Sequence, residues 1–324
     1  MVIFVSGIYF NKKNAMKLKT EKIWMDGKFI NWDDANIHIM THTLHYGLGL
    51  FEGIRCYKVQ NGSASSSAIF RLEKHIKRLF DSAHIFQLKI PYTVEEVIAA
   101  VIETIKINKL QECYIRPLVY IGTGAMGIAP KDNPIRLAIA VWPWGSYLGD
   151  EGVKNGIKVK TSSFIRGHVN SVMQRAKVTG YYATTQIAKR EAIDMGMDEA
   201  LLLDPEGFVA EGAGENIFIV RQDVIKTTTL TSILEGITRD SVMTIAHDLG
   251  ITLKEERFTR DEVYISDEAF FTGTAAEVTP IRELDGRLIG KSCPGEITKK
   301  IQSVFFDAVW GKLDKYHHWL TFIN

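Results

Sequence analysis

The chain has 324 residues, 46% hydrophobic and 24% charged, with a formal net charge of +1. That is an ordinary globular composition, long enough for a large core and two domains, and without the basic excess that would point to nucleic acid or an anionic membrane. Three cysteines (Cys56, Cys113, Cys293) are odd in number, distant in sequence and lack a CxxC pair. They favour neither a disulfide framework nor a metal site, and fit a reducing cytoplasm.

Residues 1–10 are apolar but too few to span a bilayer. They lack the basic start and small-residue cleavage site of a signal peptide. Met16 follows a polar Asn-Lys-Lys-Asn stretch, so 1–15 reads as a loose extension or a mis-set start. A chain starting at Met16 is expected to keep its melting temperature and activity. A large loss of either would show that 1–10 packs on the fold.

Residues 22–31 read as a hairpin around Asp26-Gly27. Leu72, Ile76, Leu79 and Ala83 fall at helical spacing, with Glu73 four residues before Lys77. Thr93-Val-Glu-Glu96 is a capping box opening a helix with Val97, Val101 and Ile105. Segments 114–121 and 135–141 read as strands. Pro143 to Asp150 breaks the pattern and is the best place for an interdomain linker. A strand is expected near 157–161. A helix follows from about 180 to 195, stopped by Gly196. A hairpin turns at Pro205-Glu-Gly207, and 216–220 is a strand. Thr238 can cap a helix carrying Val242, Ile245 and Leu249. A short strand at 269–273 and a closing helix at 297–309 complete the pattern. Strands and helices mix without regular βαβ alternation, which predicts α+β or irregular α/β domains.

Four segments carry chemistry when taken together. Lys177 is followed five residues on by Tyr182. Glu211 precedes Gly-Ala-Gly, where two glycines permit tight turns and close ligand approach. Gly236-Ile-Thr238 opens a helix whose free amides make an anion site. Gly273-Thr274-Ala275-Ala276 follows a strand end and offers a second set of amides and a hydroxyl. Alone, each is ordinary: a solvated lysine, a packed phenol, a loop acid, a Thr cap. Arg78 alone is one more cation on an amphipathic helix. In this order they supply what a pyridoxal phosphate enzyme needs. They give an amine for a Schiff base, a phenol, a carboxylate for the ring nitrogen and two phosphate-binding turns. Glu215 could instead serve only to stabilise its loop.

With these segments the chain resembles the fold-type IV pyridoxal phosphate enzymes, and within them the branched-chain amino acid aminotransferases, from about Lys22 to Leu320. The likeness also rests on His45-Tyr-Gly-Leu-Gly-Leu-Phe-Glu-Gly-Ile-Arg-Cys56, Phe70-Arg-Leu-Glu-Lys-His-Ile-Lys-Arg-Leu79, Tyr114-Ile-Arg-Pro117 and Gly124-Ala-Met-Gly-Ile128. The resemblance implies a small N-terminal α/β domain (16–144), a linker (145–150) and a larger domain (151–324) with a pseudo-barrel sheet. It implies pyridoxal 5′-phosphate held by Lys177, Tyr182, Glu211, Arg78, Ile237, Thr238 and Thr274, with Leu234 packed on the ring. Phe51, Gly53, Tyr114, Trp144, Tyr147, Thr274 and Ala275 would form the substrate pocket, with Arg116 meeting the side-chain carboxylate of glutamate. Tyr46, Met126 and Ile128 match residues lent by a neighbouring subunit, which implies a homodimer, with no nucleic acid or membrane partner. The family often has a Pro-Pro pair where Lys226 to Ser232 stands here, one residue shorter. That puts loop shape in question but no catalytic residue. Residues 1–15 have no counterpart.

Rival readings are a D-amino acid or R-selective amine aminotransferase, aminodeoxychorismate lyase, and a non-enzymatic binding module. The Tyr114-Ile-Arg116 strand and the 51–55 segment argue against the first. A glutamate half-reaction would separate the second. A yellow, borohydride-reducible cofactor would exclude the third.

Overall fold

A computed structural model describes residues 19–60, 67–145 and 148–323; the 1–15 extension lies outside the described residues. The expected hairpin is β1 (Lys22–Met25) and β2 (Lys28–Asn31), which turns at Asp26 and Gly27 with φ of 49° and 86°. A short helix α1 (His42–Tyr46) leads to β3 (Gly49–Phe51), β4 (Ile54–Lys58) and β5 (Ser67–Phe70). Helix α2 (Leu72–Ile85) buries Leu72, Ile76, Leu79 and Ala83, the stripe its spacing predicts. Lys77 pairs with Asp81 at 2.8 Å rather than with Glu73. Helix α3 (Val94–Ile107) starts at the predicted capping box, with both reciprocal bonds present. Then come β6 (Cys113–Ile121) and β7 (Ile135–Trp142).

The second half holds α4 (Gly149–Asn155), β8 (Ile157–Ile165), α5 (Tyr182–Asp194), β9 (Glu199–Leu203), β10 (Val209–Gly212), β11 (Asn216–Arg221) and β12 (Val224–Thr227). It continues with α6 (Ile237–Asp248), β13 (Leu253–Glu255), α7 (Arg260–Tyr264), β14 (Glu268–Gly273), β15 (Glu277–Leu284), β16 (Arg287–Leu288), α8 (Glu296–Val309) and β17 (Leu320–Ile323). Helix α4 starts inside the stretch expected to be linker. Helix α8 does not close the chain, because β17 follows and returns to pair with β5.

Among the described residues the strands form two sheets. The first runs β17-β5-β4-β6-β7-β1-β2, with β3 also on β6; the second runs β10-β9-β8-β15-β14-β11-β12-β13, with β16 on β15. The second is a curled half-barrel, and the whole is a mixed α/β fold. One core lies between the first sheet and α2 and α3, built on Ile54, Ile69, Ile76, Val101 and Ile115. Another joins the two sheets: Tyr57 and Phe70 pack with Phe218, Phe270, Phe305 and Trp319. A third covers one face of the second sheet with Val159, Ile217, Ile219 and Phe271. The shared apolar cluster holds the two sheets against each other. The cleft between them collects the chemical segments.

Candidate active site

Lys177 lies between β8 and α5, in backbone stitched to the first sheet. Phe51 N donates to Lys177 O at 3.1 Å, and Gly180 N donates to Gly47 O at 3.0 Å. Lys177 N donates to Ser82 Oγ of α2 at 3.1 Å. A 3-10 turn over Thr179–Tyr181 then feeds α5, whose first residue is Tyr182. The side chains converge, with Lys177 Nζ 2.7 Å from Tyr182 Oη. The ammonium also sits 5.0 Å from the Phe51 ring centroid.

Glu211, 2% exposed, is the penultimate residue of β10. Arg166 pairs with it, Asn216 Nδ2 donates at 3.0 Å and Leu234 N at 3.3 Å. Burial pushes its carboxyl above the ordinary range, and Arg166 opposes that shift. Glu215 is buried beside it and accepts from Gly214 N at 3.0 Å, the loop role left open by the sequence. Its carboxyl is pushed up to about 8 by burial and by the Glu199 carboxylate. Lys189 compensates Glu199 at 2.5 Å.

Arg78, on α2, donates through Nε and Nη2 to Glu52 at 2.6 and 2.9 Å, and through Nη1 to Glu235 O at 2.7 Å. Facing it is the N-terminus of α6. Gly236, not Thr238, is the N-cap; Thr238 is buried within the first turn and makes no cap bond. Glycine is required at 236 because a Cβ there would meet Asn216 Oδ1 at 1.9 Å. The resulting bare helix end can take an anion. Thr272 Oγ1 is buried nearby with no partner.

Two adjoining cavities hold these groups. The smaller is lined by Arg78, Lys177, Tyr182, Glu211, Leu234, Ile237, Thr238 and Thr274, joined by Arg166, Thr272 and others. Every residue expected to contact the cofactor is there. The larger is lined by Phe51, Gly53, Tyr114, Arg116, Thr274 and Ala275, together with Leu118, Thr179 and Gln186. Lys177, Tyr182, Gly214, Glu215 and Thr274 line both.

Trp144, expected in the substrate pocket, does not line this second cavity; its ring packs 4.4 Å from that of Tyr114, which does. Arg116 Cζ lies 4.7 Å from the Phe51 centroid and 5.7 Å from that of Trp142, and its Nε is buried without a partner. Tyr46, Met126 and Ile128 are not in this cavity; they are exposed, Ile128 by 92%. Tyr147 lies outside the described residues.

The sequence reading missed Arg166, Asn216, Glu52, Ser82 and Gln186. Asn216 stood inside a quoted motif and Glu52 beside Phe51, so adjacency was a signal for both. Arg166 and Ser82 gave none, since only the long-range contact distinguishes them from surface residues.

The sequence profile of the amino-transferase class IV family matches residues 49–284. The chain belongs to that family. A branched-chain-amino-acid aminotransferase of Pseudomonas aeruginosa is 52% identical over 302 residues, covering 93% of this chain and 97% of that one. One from Escherichia coli is 39% identical over 308 residues, covering 94% and 98%. The crystal structure of a T.th. branched-chain amino acid aminotransferase with pyridoxamine 5′-phosphate superposes with a TM-score of 0.91. The two are 45% identical, over 95% of this chain and 100% of that one. That of Thermoproteus uzoniensis, with norvaline, gives 0.88 at 43% identity over 94% and 100%.

The chain is therefore a class IV aminotransferase of fold type IV, and enzymes of this class use pyridoxal 5′-phosphate. The smaller cavity of the aminotransferase fits that cofactor. It offers an amine beside a phenol, a buried carboxylate, an arginine facing a free helix N-terminus and a buried hydroxyl awaiting a partner. Among the described residues no helix is long and apolar enough to cross a membrane.

Proposed function

We propose that the enzyme transfers the amino group of L-leucine, L-isoleucine and L-valine to 2-oxoglutarate, giving branched-chain 2-oxo acids and L-glutamate in a ping-pong cycle. One observation carries this reading. The Lys177–Tyr182 pair lines both a polar, anion-ready cavity and a larger one walled by rings and one arginine. The names of the relatives and the norvaline and 4-methylvaleric acid found with two neighbours support it. A neighbour solved with an N-(5′-phosphopyridoxyl)-L-glutamate adduct supports glutamate as the second substrate.

The bound cofactor supplies a carbonyl for the substrate amine and an electron-withdrawing ring that lets the Cα proton leave. Lys177 carries the cofactor and moves that proton. Tyr182, whose Oη lies 2.7 Å from Lys177 Nζ, orients that amine. Glu211 holds the ring-nitrogen proton. Arg78, Ile237, Thr238 and Thr274 hold the phosphate, and Leu234 supports the ring. Tyr114 and the amides of Thr274 and Ala275 hold the substrate α-carboxylate. Phe51, Gly53, Trp144 and Tyr147 shape the side-chain pocket. Residues 16–144 and 151–324 act as two units joined at 145–150. Exposed Tyr46, Met126 and Ile128 complete the site of a second subunit in a homodimer. The reading places the enzyme in the cytoplasm, where its free thiols stay reduced.

The test is a donor screen on the cofactor-loaded enzyme, following loss of cofactor colour with L-Leu, L-Glu, D-Ala and an R-amine. L-Leu and L-Glu alone should discharge it. A response to D-Ala or the R-amine in their place would reassign the enzyme within fold type IV, and no response to L-Glu would favour a lyase.

The two-substrate demand yields a sharper prediction. Burying the second carboxylate of glutamate among rings is costly without a charge-assisted partner. Arg116 is that partner, with Tyr46 of the second subunit as a further donor. Arg116→Met should slow the glutamate half-reaction roughly 10- to 150-fold more than the leucine one, the worth of one buried charged hydrogen bond. Single-turnover kinetics with each amino acid measures it. Equal losses would place Arg116 on the shared α-carboxylate.

A further inference from the structure

Glu52 has no part in the roles assigned so far, yet it joins three parts of the site. It lies between Phe51 and Gly53, fully buried. Its carboxylate accepts Arg78 Nε at 2.6 Å, Arg78 Nη2 at 2.9 Å and His75 Nδ1 at 2.7 Å, with Gly53 N at 3.3 Å. We infer that Glu52 is a positioning residue that aims Arg78 at the cofactor phosphate and locks it to the backbone of Lys177.

The donor count supports the first half. A guanidinium has five N–H donors in a rigid fork. Glu52 takes two and Glu235 O takes one. Two remain for an anion, and the planar fork leaves them no freedom to turn elsewhere. Without Glu52 the guanidinium keeps one protein bond and can rotate about its stem.

A closed hydrogen-bond circuit supports the second half. Next to Glu52, Phe51 N donates to Lys177 O at 3.1 Å. Lys177 N donates to Ser82 Oγ at 3.1 Å, and Ser82 Oγ donates to Arg78 O at 2.8 Å. Arg78 returns to Glu52. The amine and the phosphate-side cation are thus set relative to each other through one buried carboxylate. Burial opposes its ionisation, but Arg78 and His75 hold it well below the usual carboxylate range, so it stays charged.

The rival account is that Glu52 only neutralises a buried arginine. The two differ in sign. Removing a bare counter-charge makes the site more cationic and tightens a phosphate dianion. Removing an orienting group loosens it.

The inference rests on Arg78 being a phosphate ligand, and the experiment separates the two. Cofactor-free wild type, Glu52→Gln and Glu52→Asp are titrated with pyridoxal 5′-phosphate and with pyridoxal, which lacks the phosphate. Wild type should prefer the phosphorylated form; no preference would sink both ideas. Both variants should bind pyridoxal 5′-phosphate roughly 10-fold or more weakly, yet bind pyridoxal as wild type does. Glu52→Asp keeps the charge but not the reach, so a wild-type result there, or tighter binding in Glu52→Gln, would overturn orientation in favour of charge. Equal loss for both ligands, or variants that do not fold, would make Glu52 a framework residue only. In an Arg78→Met background the phosphate-specific effect of Glu52→Gln should vanish; its persistence would break the proposed route through Arg78.

Discussion

Lys177→Ala should bind the cofactor without covalent attachment and transaminate leucine roughly 10⁴-fold more slowly or worse. That is the upper end of what one positioned proton-transfer group supplies, and the covalent role proposed for this lysine would add to it. The surroundings single it out. Lys160 Nζ is engaged by Asp285 at 3.2 Å and Thr161 O at 2.9 Å. Lys189 is held by Glu199. Lys177 instead meets a phenol and an aromatic face, and lies against both cavities. A lysine tied to a carboxylate must break an ion pair before it can attack a carbonyl; Lys177 carries no such handicap among the described ion pairs. Borohydride reduction of the cofactor-loaded wild type, followed by peptide mapping, should place the pyridoxyl group on Lys177. A label on Lys160 or Lys189, or near-normal turnover in Lys177→Ala, would sink the assignment.

The helices with clean stripes and the hairpins with turn chemistry were legible in the sequence. The α3 capping box, the Asp26-Gly27 turn and the Gly196 stop all appear where local physics puts them. What escaped has a common cause. Strands β4, β5 and β17 are short, and their pairing connects residues far apart in the chain, as when Leu320 meets Phe70. Their burial comes from tertiary contacts, so a period of two has no room to show. Thr238 misled for a different reason. The true cap, Gly236, is chosen by crowding against Asn216, which no local rule contains. The smaller cavity was legible in part because Glu211, Ile237, Thr238 and Thr274 sit at or beside a strand end or a helix start with glycine close by. The supporting residues were not: Arg166, Ser82 and Glu52 act across 45, 95 and 26 residues respectively. Cys56 and Cys113 make the same point, being distant in sequence yet cross-strand partners.

Glu211→Gln should retain cofactor but transaminate roughly 10²–10⁴-fold more slowly. A carboxylate beside a protonated pyridine nitrogen keeps that proton in place, and the ring then accepts the electrons left behind at Cα. A neutral amide cannot. In the protein alone, burial pushes the Glu211 carboxyl up while Arg166 pulls it down; a cationic ring nitrogen at the same carboxylate adds to the side of ionisation. The amide also breaks the polarity of its surroundings. Arg166 and Leu234 N donate to one carboxylate oxygen and Asn216 Nδ2 to the other. Glutamine has one acceptor oxygen, so its NH₂ must face a donor. Asn216 cannot flip to compensate, because its Nδ2 also holds Leu234 O at 3.0 Å. One buried group left unmatched costs about 1–3 kcal/mol. The variant should therefore melt lower as well as turn over slowly. Cofactor titration, melting and single-turnover rates with leucine separate the effects. A lowered melting point with near-normal turnover would leave Glu211 as a structural acid and move the ring nitrogen elsewhere in the cavity.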